Sequence, residues 1–288
     1  MNNIELSTVY LPLLDRVYKE SSKTAILEID EVLVQRGNNG EIKVAKLDMD
    51  ALGDFSRNSG YTRGNTKLTY ETIKYDKERS QDLRIDRLDN QETVATPFAK
   101  LSSEFIRTKV VPETDAARIA KLAGTEDISI KAETLEDGSA VVKALRACSN
   151  KMDEDEVPQE SRILFITPTL RGMVDDLDTT KSKQVLAKFS QIIEVPQTRM
   201  YTKIVLETGK EEDGTTKFGY SKATDGKEIN FLCVEKSAAF VRMDQYIKYF
   251  SPDEDQEGDD NVFKYRNNNL YGYVYENKLA GIYCSYKN

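Results

Sequence analysis

The residues that could do chemistry in this sequence are carboxylates, because the 288-residue chain contains no histidine. Histidine is the usual general base, zinc ligand and switch near neutral pH. The candidates are Asp48 with Asp50, the run at 153–156 and the acidic stretch at 253–260. Clustered carboxylates bind calcium or magnesium and serve metal-dependent hydrolases.

Three features favour the interpretation that these carboxylates are solvated surface groups. Asp48 and Asp50 share a face only if their segment is a β-strand. No basic phosphate clamp lies near them, and the other two clusters fall in polar stretches. We therefore expect no enzyme, no cofactor and no metal site. A carboxylate-dependent metal enzyme stays as an alternative from a different class.

Phosphate-binding and cysteine motifs give no further candidate. The segment SGYTRGN at 59–65 lacks the lysine and the strand-to-helix context that a phosphate-binding loop requires. The three cysteines, Cys148, Cys233 and Cys284, are far apart and lie among apolar or small residues. They predict buried free thiols in a reducing compartment.

Composition predicts a soluble protein with a large surface for its volume. Charged residues make up 31% of the chain, hydrophobic residues 39%, and the mean hydropathy is -0.57. Fifteen tyrosines and ten phenylalanines supply anchors that disordered chains lack. The net charge of -8 disfavours tight binding to nucleic acid. It fits ordinary solubility. No apolar run reaches the length of a membrane span.

The longest regular element is a helix predicted over 97–123. Thr96 and Pro97 form a start signal and Gly124 a stop signal. Such a helix is roughly 40 Å long. Pro112 removes a backbone hydrogen bond, so we expect a bend near Val111 or two shorter helices. Apolar positions at spacings of three and four predict one buried stripe: Phe98, Leu101, Phe105, Thr108, Pro112, Ala116, Ile119 and Ala123.

The residues before this helix predict a helix and two hairpins with little apolar surface of their own, so we expect them to pack against another surface. A helix at 3–24, either continuous or broken at Pro12, precedes a hairpin with its turn at 37–40. Strands at 66–75 and 82–88 predict a second hairpin, joined by the polar residues 76–81. Its charges either are solvated or select a neighbouring subunit. As inter-subunit contacts we single out six of them: Glu78, Arg79, Arg84, Asp86, Arg87 and Asp89.

After the long helix the pattern predicts a compact α/β unit. Strands are expected at 128–132 and 162–167, with helices at 139–152 and 168–177. A helix at 182–193, a strand at 200–208 and a polar loop at 209–227 follow. Further strands are predicted at 229–234 and 241–250, and tyrosine-rich strands close the chain.

Several segments together resemble the major capsid proteins of tailed bacteriophages, the shell-forming family with the Hong Kong 97-like fold. The resemblance is carried by IDRLDNQET at 85–93 and EFIRTKVVPETDAARIAKLAG at 104–124. It continues in LGDFSRNSGYTRGNTKLTYET, KEINFLCVEKSAAF and the terminal VYENKLAGIYCSYKN. It covers nearly the whole chain, with 1–50 and 205–226 matched by position only.

The resemblance implies an α+β capsid fold with five parts. These are an N-terminal arm at 1–50, an E-loop hairpin with its base at 51–93, and a spine helix with the first part of the peripheral domain at 94–138. An axial domain at 139–231 and a return to the peripheral domain at 232–288 complete the chain. The N-terminal arm is expected to lie across a neighbouring subunit, or to form an ordinary packed subdomain.

The function implied is structural. Copies would join into pentamers and hexamers that tile an icosahedral phage head around double-stranded DNA, without sequence-specific DNA binding. The implied partners are further copies, a separate scaffolding protein, a portal protein and decoration proteins, with no membrane. The location would be the virion, after assembly in the host bacterial cytoplasm. An encapsulin-like nanocompartment shell stays as an alternative.

Overall fold

The computed structural model describes residues 17–18, 20–29, 34–36, 41–55, 57–58, 60–86, 102–177, 179–209, 216–254, 258 and 260–288. Within these ranges the chain forms helices and strands arranged in four sheets. The mixed content agrees with the α+β class. No helix in the described ranges is both long and apolar enough to cross a membrane.

A five-stranded sheet forms the centre of the molecule. Its order is β5 (Ser129–Ala132), β13 (Ile282–Tyr286), β10 (Ile229–Glu235), β6 (Arg162–Ile166) and β7 (Gln191–Glu194). The two outer pairs are parallel and the inner pairs antiparallel. Every residue of β6 and β10 is buried. This agrees with the apolar runs that predicted these two strands.

Helices cover both faces of this sheet. The long helix that ends with α1 (Val111–Ala123) packs on one face, where Ile119 and Leu122 meet Phe165 and Leu232. On the other face lie α2 (Gly138–Glu154), α3 (Pro168–Asp175) and α4 (Thr180–Leu186). Alternate residues of each strand therefore enter two separate apolar clusters, as a pleated strand requires.

The three cysteines lie in these clusters as free thiols. Cys148 and Cys233 share the α2 side, and Cys284 lies on the opposite side. Burial raises the pKa of Cys284 to about 12. Burial, together with a hydrogen bond to Cys233, also raises the pKa of Cys148. The prediction of buried free thiols is confirmed.

The long helix continues through Pro112 by means of a π-helical turn. Residues 102–105 are α-helical, Ile106–Val110 form the π turn, and α1 follows directly. Val111 keeps helical angles, so the alternative of two separate helices is wrong for the described part. A π turn at a proline is a common origin of a bend. The bend itself, and the predicted start at Pro97, stay predictions.

The predicted stripe along this helix is correct only in its second half. Ala116, Ile119 and Ala123 are buried, whereas Thr108 is exposed. In the first half the buried apolar residues are instead Ile106, Val110 and Val111. The prediction assumed 3.6 residues per turn throughout, and the wider π turn shifts the face that is buried.

The predicted hairpin between 66–75 and 82–88 is wrong. β3 (Thr66–Lys74) pairs with β2 (Glu41–Met49), whereas β4 (Lys77–Asp86) pairs with β12 (Asp260–Val274). The two strands are neighbours in sequence but belong to different three-stranded sheets, β1-β2-β3 and β11-β12-β4. β1 is Val34–Arg36 and β11 is Ala239–Phe250. Residues 75–76 connect β3 to β4 in sequence.

Other predicted elements agree in part with the structure. β1 pairs with β2 as predicted, although the turn at 37–40 lies outside the described residues. The helix predicted at 182–193 ends at Leu186, and 191–194 form β7 instead. The predicted loop at 209–227 contains β9 (Tyr220–Lys222), which pairs with β8 (Ile204–Leu206). Most of the helix predicted at 3–24 lies outside the described residues, and 17–18 and 20–21 are helical.

Asp153, from the acidic run at 153–156, supports the buried Arg162. Arg162 Nη1 lies 2.7 Å from Asp153 Oδ1, and Lys188 Nζ lies 2.9 Å from Oδ2. Burial raises the pKa of Asp153, but hydrogen bonds from Lys188, Gln159 and Arg162 outweigh it and lower the pKa to about 2. This carboxylate is therefore a structural ion-pair partner.

Asp153→Asn is expected to reduce stability at neutral pH, with a reduction that disappears in acid. The lowered pKa means that the carboxylate stabilises the fold above about pH 4 and loses this effect as the pH falls toward 2. Urea unfolding of wild type and variant at about pH 7, 4 and 2 measures the difference. A difference that is the same at all three pH values would contradict the assignment.

Candidate assembly surface

Most described residues of β3 and of the connection that precedes it are exposed. β2 and β3 pair from Glu41↔Lys74 to Met49↔Thr66, and residues 50–65 form the distal connection of the β2–β3 hairpin. Two hydrogen bonds hold this connection. Thr62 Oγ1 donates to the Asp54 carbonyl at 2.7 Å, and the Asn65 amide donates to Asp50 Oδ2 at 2.8 Å.

The base of the hairpin is fixed to the body. Ile42 and Val44 are buried in one cluster with Phe240 and Leu270. Tyr273 Oη donates to Glu71 Oε2 at 2.6 Å. Both apolar and polar contacts therefore fix the direction in which the hairpin leaves the body.

The apolar face of the hairpin changes side along its length. Near the base, Ile42 and Ile73 occupy the face that packs on the body. Farther out, Met49, Leu68 and Tyr70 lie on the opposite face, where they are 64%, 55% and 54% exposed. Strand residues alternate between faces, so this distal apolar face points away from the chain's own body.

An aromatic pair lies at the end of the hairpin. Phe55 and Tyr61 meet edge to face with ring centroids 5.2 Å apart, and Leu52 lies nearby in sequence. Leu52 and Tyr61 are almost fully exposed, and Phe55 is 61% exposed. We call Leu52, Phe55 and Tyr61 the tip cluster. Large exposed apolar groups that are concentrated in one place are typical of protein–protein contact sites.

The charged residues singled out from the sequence do not form one site. Glu78 pairs with Arg266 at 3.3 Å, and Arg84 pairs with Asp82 at 3.3 Å, both on the exposed face of the β11-β12-β4 sheet. Asp86 ends β4 opposite Asp260. The remaining two, Arg87 and Asp89, lie outside the described residues. The inter-subunit role of this group stays a prediction.

Arg79 differs from Glu78 and Arg84 because its ion pair is mostly buried, whereas theirs are exposed. Its guanidinium donates to both carboxylate oxygens of Glu113, at 2.7 and 3.1 Å. It also donates to the carbonyls of Glu207 and Gly219. The side chains of Arg79 and Glu113 are mostly buried. Arg79 thus ties β4 to the long helix and to the β8–β9 hairpin.

Arg79→Ala is expected to lower the free energy of unfolding by about 1.5–3 kcal/mol, because a two-pronged charged hydrogen bond is lost and Glu113 is left without its partner. Arg84→Ala is the matched control and should change stability by no more than about 0.5 kcal/mol, since its pair is exposed. Urea unfolding of the unassembled subunit measures both. Equal losses of unfolding free energy in the two variants would contradict the conclusion that the Arg79 pair stabilises the fold more than the Arg84 pair.

A second polar site, which sequence reasoning missed, fixes residues 22–28 to the long helix. Asp115 is fully buried and accepts from Ser22 Oγ at 2.7 Å, from Thr24 Oγ1 at 2.7 Å, and from the amides of Lys23 and Thr24. Arg199 Nη1 lies 3.1 Å from the other side of the same carboxylate. We call this site the Asp115 anchor.

Arg118 extends the anchor by one helical turn. It is fully buried, donates to Thr24 Oγ1 at 3.2 Å and Glu28 Oε1 at 3.0 Å, and lies over the Tyr18 ring at 5.8 Å. Residues 17–28, which belong to the predicted arm, therefore pack on their own chain. No sequence signal marks this site, because Asp115 and Arg118 fit an exposed helix face equally well.

In the described part of the chain, no three histidine, cysteine, aspartate or glutamate side chains come together as a group that could hold a metal ion. Asp50, one of the sequence candidates, is occupied by the backbone amide of Asn65.

Comparison with known proteins gives structural neighbours only. No protein-family profile and no curated protein sequence matches the chain. The capsid of Staphylococcus phage Andhra superposes with a TM-score of 0.57 at 9% identity, covering 91% of this chain and 83% of that one. The capsid of cyanophage P-SCSP1u superposes with a TM-score of 0.56 at 15% identity, covering 88% and 85%.

A third neighbour comes from an archaeon. The virus-like particle from Pyrococcus furiosus superposes with a TM-score of 0.56 at 11% identity and covers 96% of this chain and 99% of that one. At such identities the likeness establishes the fold alone. The coverage means that most of the chain belongs to that fold.

Proposed function

We propose that this chain, which has the Hong Kong 97-like capsid fold, is a major capsid protein whose copies form the icosahedral head of a tailed bacteriophage. In this proposal the copies associate as pentamers and hexamers and enclose double-stranded DNA. The observation that carries the proposal is the β2–β3 hairpin, whose distal apolar face and tip cluster find no cover on their own body.

Covering these side chains supplies a driving force for association. Full burial of a large apolar side chain is worth about 1.5–3 kcal/mol. In the described residues the large exposed hydrophobic side chains number eleven, and six of them lie on this hairpin: Met49, Leu52, Phe55, Tyr61, Leu68 and Tyr70. A hairpin that is anchored at its base presents them in a fixed direction, so little ordering is needed when they bind.

The geometry of such a contact favours a ring. A hairpin on one copy that contacts a different surface on the next copy is a heterologous contact, which closes into a ring or continues as a filament. Pentamers and hexamers are closed rings of this kind. The π turn before Pro112 is a place where one sequence can adapt to the two ring sizes.

The same proposal implies where the shell assembles and which proteins accompany it. Assembly takes place in the host bacterial cytoplasm, with a separate scaffolding protein, and the finished head holds a portal protein and any decoration proteins. The net charge of -8 suits a wall that does not bind DNA tightly.

A shell around a protein cargo is the second candidate. The virus-like particle from Pyrococcus furiosus is matched over 99% of its own length, the highest coverage of the three neighbours described. Such a shell would use the same hairpin contacts and differ in what it encloses.

Electron microscopy of the purified protein, after expression with and without candidate scaffolding proteins, tests the proposal. Closed shells of uniform size are expected. A nuclease-resistant DNA content in particles from infected cells identifies a phage head, and a protein cargo identifies the second candidate. A monodisperse monomer under all assembly conditions would contradict both.

A further inference from the structure

The outer strand of the β1-β2-β3 sheet is a long edge, and in the described ranges no strand lies on its second side. β3 pairs with β2 over all nine of its residues without a register shift. It contains neither proline nor glycine. Stable monomers protect such an edge with prolines, bulges, charges or a covering element, because unpaired N–H and C=O groups recruit another strand. β3 is therefore a strand that a second chain can extend.

The direction of the backbone groups along this edge follows from one hydrogen bond. The Asp50 amide donates to the Asn65 carbonyl at 3.1 Å, and these two residues continue the β2–β3 register. In an antiparallel ladder, pairs that exchange backbone hydrogen bonds alternate with pairs that do not. The odd-numbered residues of β3 therefore point their backbone groups toward β2. The even-numbered residues, with Tyr70 at the centre, point theirs toward the open side.

An antiparallel second copy of the same strand fits this edge. When Tyr70 lies opposite Tyr70 of the second copy, residues with outward-pointing backbone groups face one another and the hydrogen-bond ladder continues. On one face, exposed Leu68 then lies diagonal to Tyr70 of the second copy. On the other face, exposed Lys67 lies diagonal to Glu71 of the second copy. Long side chains reach such diagonal neighbours, and a two-fold axis forms each contact twice.

The charges of β3 favour this arrangement over a parallel one. A parallel pair in register places Lys67 beside Lys67 and Glu71 beside Glu71, and like charges side by side destabilise a sheet. The antiparallel pair instead brings opposite charges together. Glu71 accepts from Tyr273 through Oε2, and its carboxylate has a second oxygen for a lysine. The strand is thus complementary to itself in both charge and apolar side chains.

We propose that two free subunits pair through their β3 strands, antiparallel and about a two-fold axis at Tyr70, so that their three-stranded sheets join. The contact is isologous, because both copies use the same surface. The inference goes beyond the proposed function, since the rings of a shell are built from heterologous contacts. The subunit pair exists in solution before any ring closes.

Crosslinking through single introduced cysteines tests the register. Full-length subunits are kept below the concentration at which shells form, and their native cysteines are buried. Dibromobimane should link Tyr70→Cys subunits into dimers, and should also link a mixture of Thr66→Cys with Lys74→Cys subunits, because these positions lie opposite each other. Thr66→Cys alone is the matched control, since its two copies lie roughly 27 Å apart in this pairing. Equal linking of the control, or no linking of the other two samples, overturns the proposal.

Charge reversal gives an independent measurement on the same unassembled subunits. Lys67→Glu places like charges together on both sides of the axis, so the dimer dissociation constant from sedimentation equilibrium should rise at least about tenfold. Lys67→Glu together with Glu71→Lys restores opposite charges and should return the constant to within about threefold of wild type. A wild-type monomer at every concentration, or a dimer that Lys67→Glu does not weaken, overturns the proposal. Shell formation is scored separately by electron microscopy, so failure here leaves the proposed function standing.

Discussion

Replacing Phe55 and Tyr61 together by serine is expected to raise the protein concentration at which shells form by at least about 100-fold. The two rings form one exposed edge-to-face pair at the end of the hairpin. Buried aromatic anchors in interfaces are worth about 2 kcal/mol or more, and about 1.4 kcal/mol changes an equilibrium constant tenfold. Light scattering and sedimentation over a concentration series measure the threshold.

The subunit itself should be unaffected by this change. Both side chains are exposed, so its free energy of unfolding should move by no more than about 0.5 kcal/mol. Tyr246→Ser is the matched control, because Tyr246 is 43% exposed on the body rather than on the hairpin. Shells that form from the double variant at the wild-type concentration would show that the tip cluster is not an assembly contact.

Asp115→Ala is expected to lower the free energy of unfolding by about 3–5 kcal/mol, because removal of one member of a buried ion pair leaves the others without compensation. Asp115 is the common acceptor for Ser22, for Thr24 and for Arg199. Its loss leaves Arg199 without its carboxylate partner and removes a negative charge near the buried Arg118. Urea unfolding of the unassembled subunit measures the loss.

An exposed ion pair provides the control for this variant. Asp225 lies 2.5 Å from Lys203, and both side chains are about two-thirds exposed. Asp225→Ala should therefore leave the free energy of unfolding nearly unchanged. If both variants lose the same amount, the Asp115 anchor contributes no more than a surface pair, and residues 17–28 are held by their apolar contacts alone.

Much of the central fold could be predicted from local sequence. The continuous apolar runs of β6 and β10 marked buried strands, and the spacing of Val141, Leu145, Cys148 and Met152 marked the buried face of α2. These signals are local. The spacing of apolar residues along the sequence matches the repeat of a helix or a strand, and it shows which faces of the element are buried.

The pairing of strands could not be predicted in this way. Only two residues separate β3 from β4, and the residues around them are of types that form turns. Such a short connection between two strands favours a hairpin. The partner of β4 is β12, more than 170 residues farther along the chain. Because strand pairing is decided by distant apolar surfaces, a local turn signal does not determine which strand is the neighbour.

The Asp115 anchor shows a second limit. Asp115 and Arg118 are charged residues in a helix, and such residues are almost never fully buried unless they are paired. Their partners, Ser22, Thr24 and Glu28, lie some 90 residues away in sequence. The exposed hydrophobic residues of the β2–β3 hairpin were not singled out from the sequence either, although the resemblance placed 51–93 in the E-loop hairpin and its base.

A cryo-electron microscopy reconstruction of the assembled protein, at a resolution that traces side chains, tests the central claim most directly. The account predicts that Met49, Leu68, Tyr70 and the tip cluster are buried against a neighbouring copy in every ring. A shell in which the β2–β3 hairpin points into solvent, or folds back onto its own subunit, would contradict it.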